Sequence, residues 1–180
     1  MAAQRRIRPA RALVVLASAA LALSGCAAQP GTAAVVNGER ITSNDLDDAT
    51  LEYVALTGQE TEPVVVLNTL IAAEILPEVA AERGVAYSDE QVAERFTEQA
   101  ALLGTTAPES YSEAFLDLGH YLFTVIDVQT SPDGAAILDE FSARMAEADV
   151  EINPRYGQAQ DGTIAPIEHD WLATSAPTAP

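Results

Sequence analysis

Covalent or acid–base chemistry needs a nucleophile, a tuned proton donor or acceptor, or a set of metal ligands, and this chain carries few of these. It has one Cys, Cys26, and two His, His120 and His169, well separated in sequence. No H-E-x-x-H, C-x-x-C or Asp-rich calcium loop occurs, and no G-x-S-x-G or S-x-x-K. Carboxylates are plentiful, 27 in all, so a pair at the separation a glycosidase uses can arise by chance. There are no aromatic platforms beside them to hold a sugar. Asp45, Asp47 and Asp48 read as charges at a helix start, where the macrodipole favours them. His120, between Gly119 and Tyr121, reads as a partly buried or capping residue. His169, within Glu168-His169-Asp170-Trp171, reads as part of a solvated loop. The expectation is a protein that is not an enzyme, with no catalytic residue, no metal and no cofactor.

The single cysteine has a more specific setting. Arg5, Arg6, Arg8 and Arg11 precede an apolar run, Ala12 to Leu23, which is shorter than the ~20 residues a helix needs to span a bilayer. The run ends in Leu23-Ser24-Gly25-Cys26. That arrangement resembles the lipobox of bacterial lipoproteins. The resemblance implies a cleaved signal peptide over residues 1–25, a diacylglyceryl group on the Cys26 sulfur, and attachment to the extracytoplasmic face of the cell membrane. With one Cys no disulfide within the chain is possible. Residues 26–32 form a lipidated tether. Its Ala27-Ala28-Gln29-Pro30-Gly31-Thr32 stretch reaches ~20 Å when extended, so the domain sits near the membrane.

Formal net charge is −18, and every basic residue is Arg. After Cys26 five Arg stand against 27 acidic residues, or −22. Such a field repels nucleic acid and anionic head groups. The content of hydrophobic residues, 48%, is that of a packed domain rather than a disordered chain.

The elements follow from local signals. Val35-Val36, the Asn37-Gly38 pair and Ile41-Thr42 predict a β-hairpin with a type I′ turn. Thr42 and Asp45 stand in capping-box spacing, opening a helix from about Ser43 to Thr57 that Gly58 ends. Such a ribbon is not stable alone. Its expected partner is the distant Val150-Glu151-Ile152-Asn153. A second helix runs from Thr61-Glu62-Pro63 to Gly84, kinked at Pro77. Its wide apolar stripe marks it as the central core helix, although Val64 to Leu67 can also be read as a strand. A third helix runs from Ser88, with Gln91 in capping-box position, to Leu103. A fourth runs from Pro108 to Val128, with Ser110 and Glu113 in the same spacing. A fifth runs from Ser131-Pro132-Asp133 to about Ala148. Asp161-Gly162 marks a turn, Trp171 and Leu172 can dock on the core, and residues 173–180 read as a disordered tail. The fold class is mostly α: about five amphipathic helices plus a small β-ribbon made by an N-terminal hairpin and a C-terminal strand.

The V-V-N-G-E-x-I-T start, an apolar helix and further amphipathic helices resemble the N-terminal domain of SurA-type periplasmic chaperones. PrsA foldases and trigger factor share that helical module. The resemblance covers about Ala33 to Asn153, within a domain of residues 33–172. The stretch Val150 to Gly157, VEINPRYG, looks like the tail of SurA-like lipoproteins of actinobacteria. Many members also carry a parvulin-type isomerase domain. Here the fifth helix runs almost directly into the last strand, leaving no room for one. The resemblance therefore implies a membrane-anchored holdase for non-native exported polypeptides, without prolyl isomerase activity. Its expected peptide-binding groove draws on Tyr53, Leu56, Phe96, Leu103, Tyr111, Phe115, Leu122, Phe123 and Met145. Each of these can equally be simple core. The alternative is a structural or adaptor lipoprotein that docks one folded envelope protein.

Overall fold

The computed structural model describes residues 30–160 and 163–165. The leader over residues 1–25, Cys26, most of the tether, the Asp161-Gly162 turn, His169, Trp171, Leu172 and the tail over 173–180 lie outside the described residues.

The hairpin forms as the Asn-Gly pair predicts. β1 (Thr32–Val36) and β2 (Glu39–Thr42) pair antiparallel, with Val36 opposite Glu39. Asn37 and Gly38 take φ of 51° and 94°, the left-handed values that a type I′ turn demands. β3 (Val150–Ile152) lies antiparallel on the other edge of β1, with Val35 opposite Glu151, so the sheet order is β2-β1-β3. All five β1 residues are buried. Two asparagines lock the distant ends together. The Asn37 N–H donates to Asp149 O at 2.8 Å, and the Asp149 N–H donates back to Asn37 Oδ1 at 3.0 Å. At the other end Asn153 donates its N–H to Ala33 O at 2.9 Å and its Nδ2 to Thr32 O at 2.8 Å.

Between β2 and β3 lie the helices. α1 (Ser43–Thr57) opens on the Thr42 capping box, in which the Asp45 N–H donates to Thr42 Oγ1 at 3.1 Å and the Thr42 N–H donates to Asp45 Oδ2 at 2.7 Å. Gly58, at φ 67°, ends it. The second predicted helix is two pieces, α2 (Pro63–Ala73) and α3 (Leu76–Ala81). Val64 to Leu67 is helical, not a strand. The break precedes Pro77 because the proline ring collides with the carbonyl four residues back, at Ala73, and α2 stops there. By length and composition the stretch Pro63–Ala81 passes for a membrane span, with mean hydropathy 1.8. Here it is split, and Val66, Leu67, Leu70 and Ile71 are buried in the domain.

α4 (Asp89–Leu103) starts on the Ser88–Gln91 capping box and ends at Gly104 in the left-handed region. α5 (Glu113–Thr130) starts later than the expected Pro108, on Ser112 rather than on a Ser110 box. The reason is tertiary. The Glu52 carboxylate on α1 accepts from the Ser112 N–H at 3.1 Å and from Ser112 Oγ at 2.8 Å, which makes Ser112 the cap. α6 (Gly134–Glu147) completes the set.

The central helix is α5, not the second predicted helix. Its 18 residues run ~27 Å without interruption, and it packs against α1, α2, α3, α4 and α6. α2, at 11 residues, is too short for that role and packs against α5, α1 and β1. A further hairpin, β4 (Gln158–Gln160) and β5 (Thr163–Ala165), follows the Pro154 to Gly157 loop. Gly157 is needed there, because its φ is 139° and a Cβ would meet Ala165 O at 2.5 Å.

Candidate functional site

The aromatic residues expected to line a groove instead close a seam between α4 and α5. Phe96 stacks on Phe115 with ring centroids 4.4 Å apart, and Phe123 and Tyr111 sit 5.2 and 5.3 Å from Phe96. Phe115 is 0% exposed, Phe96 2%, Phe123 5% and Leu56 8%. These four are core, because large apolar side chains on facing helices gain most by excluding water. Gly119 lets the helices approach. A Cβ there would fall 2.4 Å from Val92 Cγ1 and 2.6 Å from Phe96. Tyr53, Tyr111 and Leu122 are half-buried against the same core. Leu103 is exposed, at the end of α4.

Polar contacts fasten the rim of the seam. Arg95 lies 4.5 Å over the Tyr87 ring and 5.3 Å from the Phe123 ring. The Tyr87 hydroxyl donates to the Asp127 carboxylate. Burial, then that hydrogen bond, pushes the phenol up to about 12. His120 Nε2 meets Asp89 Oδ1 at 2.9 Å, joining α5 to the first turn of α4.

The concavity lies elsewhere. A cleft of about 840 Å3 opens between α2, α6, β3 and the β4–β5 hairpin, with Tyr121 of α5 at its base. Of the expected groove residues only Met145 lines it. Met145 and Phe141 are one turn apart on α6, and Val150 and Ile152 present the same face of β3, as alternation along a strand requires. Ile71 supplies the α2 side. The space exists because Ala72, Ala146, Ala148 and Ala159 stand around it, side chains too small to fill it. Among the described residues, none that lines it carries a charge. Asn68, Thr69, Ser142, Gln160 and Thr163 are its polar groups, and Asn68 Oδ1 accepts from the Ile164 N–H at 2.9 Å.

A second cleft, of about 460 Å3, has the opposite character. Glu39, Asp45, Glu74, Glu78, Glu113 and Asp117 line it together with Arg40. Burial raises the Glu74 carboxyl above its ordinary value, and Asp117 and Glu39 add to this. Asp117 is raised by burial and then by Glu113. Among the described residues no group of three or more His, Cys, Asp or Glu is placed to hold a metal ion. The crowded carboxylates therefore destabilise one another without a shared ligand geometry.

What the molecule can do chemically follows from these contrasts. Among the described residues that line the two clefts, no nucleophile is paired with a base. The larger cleft can take a few apolar side chains, within the 300–1,000 Å3 range of small-ligand pockets. Sequence reasoning missed Ile71, Ala72, Tyr121, Ala146, Ala148 and Ala159 as its walls. The available signal was the small residues interleaved with Phe141 and Met145 on α6. Comparisons with protein-family models, with curated proteins and with solved structures return no match.

Proposed function

We propose that this protein is a lipid-anchored, extracytoplasmic holdase. It takes apolar side chains of non-native exported polypeptides into the cleft between α2, α6, β3 and the β4–β5 hairpin. On this reading Cys26 carries the lipid, the module is kin to the SurA N-terminal domain, and prolyl isomerase activity is absent. One observation carries the proposal. In a chain with 27 acidic residues, the described residues that line this cleft carry no charge. An apolar side chain entering it gains ~25 cal/mol per Å2 buried and meets no charge among those described lining residues. The cost of ordering the peptide takes back much of that gain, so contacts are weak and tolerant of sequence, as a holdase needs. The strong negative charge on the rest of the surface keeps the loaded protein soluble.

The test is light scattering from chemically denatured clients of different folds, diluted with and without the full chain. Suppression at a few-fold molar excess across clients supports the proposal, and unchanged scattering across all of them overturns it. The adaptor reading has one observation of its own. Leu102 and Leu103, 80% and 51% exposed, form an adjacent apolar pair at the end of α4, outside the cleft. Capture of one stoichiometric envelope protein that is lost on Leu102→Glu favours that reading instead.

A further inference from the structure

We infer that the outer edge of β3 is a strand-addition site: an extended client segment, poor in acidic residues, pairs its main chain with Val150 and Ile152 and lays alternate side chains into the cleft. This deepens the proposed function and rests on it for the nature of the client. The register between β1 and β3 carries the argument. Hydrogen-bonded pairs alternate with non-bonded pairs along an antiparallel ladder. The Asn37 N–H donates to Asp149 O at one end, and the Asn153 N–H donates to Ala33 O at the other. With Val35 opposite Glu151, the bonded positions on this strand are 149, 151 and 153. Val150 and Ile152, opposite Val36 and Ala34, turn their N–H and C=O groups away from β1. Among the described residues no strand pairs with that edge: the sheet ends at β3, and β4 pairs with β5.

The two edges of the sheet differ. β2 carries Glu39 and Arg40, both exposed, and charged side chains guard an edge against a further strand. On β3 the two residues whose main chain turns outward also line the cleft, whose described walls carry no charge. A strand added there, at ~4.8 Å, sends alternate side chains to the face of Val150 and Ile152. They meet Phe141 and Met145 of α6 and Ile71 of α2 across a space of about 840 Å3. Main-chain pairing is common to every sequence, and the apolar wall asks only for alternation. The client class is therefore strand-forming segments with apolar residues at every second position. Proline in the paired stretch, which lacks the N–H, or a carboxylate facing the wall excludes a segment. Charge decides against the other candidate, a second copy of this chain. A net charge of −18 on each molecule opposes edge-to-edge pairing, whereas a neutral segment meets no such repulsion and a basic one is attracted.

The probe is a dye-labelled peptide of alternating Val and Thr with Lys at each end, and its binding to the full chain is read by fluorescence anisotropy. N-methylation of the Val amides removes the donors along one peptide edge, and N-methylation of the Thr amides those along the other, with every side chain unchanged. One of the two sets should weaken binding at least about tenfold and the other less than about threefold. On the protein, Ile152→Pro deletes an outward donor that β1 does not use, and Ile152→Ala, which keeps that donor, is its control. The proline variant should bind at least about fivefold more weakly than the alanine variant, with circular dichroism unchanged. Should the proline variant unfold, the methylated peptides decide alone. Equal effects of the two methylated sets, no binding of the parent peptide, or a dimer of the protein that Ile152→Pro dissolves would each overturn the inference. Suppressed client aggregation together with equal methylation effects removes strand addition and leaves the holdase standing, so the two failures are distinguishable.

Discussion

Two flanks of α5 show opposite solutions to helix packing. Toward α4 the facing residues are large, and Phe96, Phe115, Phe123 and Tyr111 meet ring to ring until no space remains. Toward α2 and α6 the wall residues include Ala72, Ala146 and Ala148, and an open cleft remains. The lesson is that the size of the side chains, more than their apolarity, decides which flank is core and which is surface. A search for binding residues that looks for large apolar groups finds the seam, which has nothing left to offer a ligand.

The sharpest way to break this comparison is to empty the seam. Phe115→Ala removes a fully buried ring and should cost about 3–5 kcal/mol in urea unfolding. A loss under about 1 kcal/mol would mean the seam is not the stability core. Overfilling it comes next. Gly119→Ala puts a methyl group into space held by Val92 and Phe96 and should cost about 1–3 kcal/mol, read as a lower midpoint at unchanged slope. Filling the other flank should behave differently. Ala146→Leu enlarges an exposed position on the cleft wall, so stability should change by no more than about 0.5 kcal/mol. Aggregation suppression should nonetheless fall, because the space is taken.

The smallest effect belongs to the acidic cleft. Glu74 and Asp117 are both raised above their ordinary values of 4.5 and 3.8, so the folded state binds protons that the unfolded chain releases. Stability is then complete below those ordinary values and is lost as pH rises through the folded-state values. The melting temperature should therefore fall from mildly acidic pH toward neutral. Glu74→Gln should flatten that slope and raise the neutral-pH melting temperature by about 1–3 °C, while Glu98→Gln on exposed α4 leaves the slope unchanged. Client binding should follow neither variant.

What the sequence made legible was local. The Asn37-Gly38 turn, the Thr42 and Ser88 capping boxes and the Gly58 and Gly104 stops each depend on residues within a turn of one another. All of these form as read. The pairing of the hairpin with the Val150 to Asn153 segment was also legible, because an isolated hairpin needs a third strand and few segments remained to supply it; its register, Val35 opposite Glu151, was not. The start of α5 was not, since it is set by Glu52 from 60 residues away. The β4–β5 hairpin escaped because Gln158-Ala159-Gln160 has no strand pattern and gains its place from β3 and α2. The cleft was the least legible feature. Among the expected residues Met145 alone belongs to it, because a cavity is defined by the side chains that are missing from it.

The most direct measurement of the central claim is site-specific photo-crosslinking to a denatured client in the full chain. A photoreactive residue at Ala146 reports from the cleft wall, and one at Leu102 reports from exposed apolar surface away from it. The account predicts strong client adducts from position 146 and weak ones from position 102. Equal labelling from both, or labelling from position 102 alone, would contradict it.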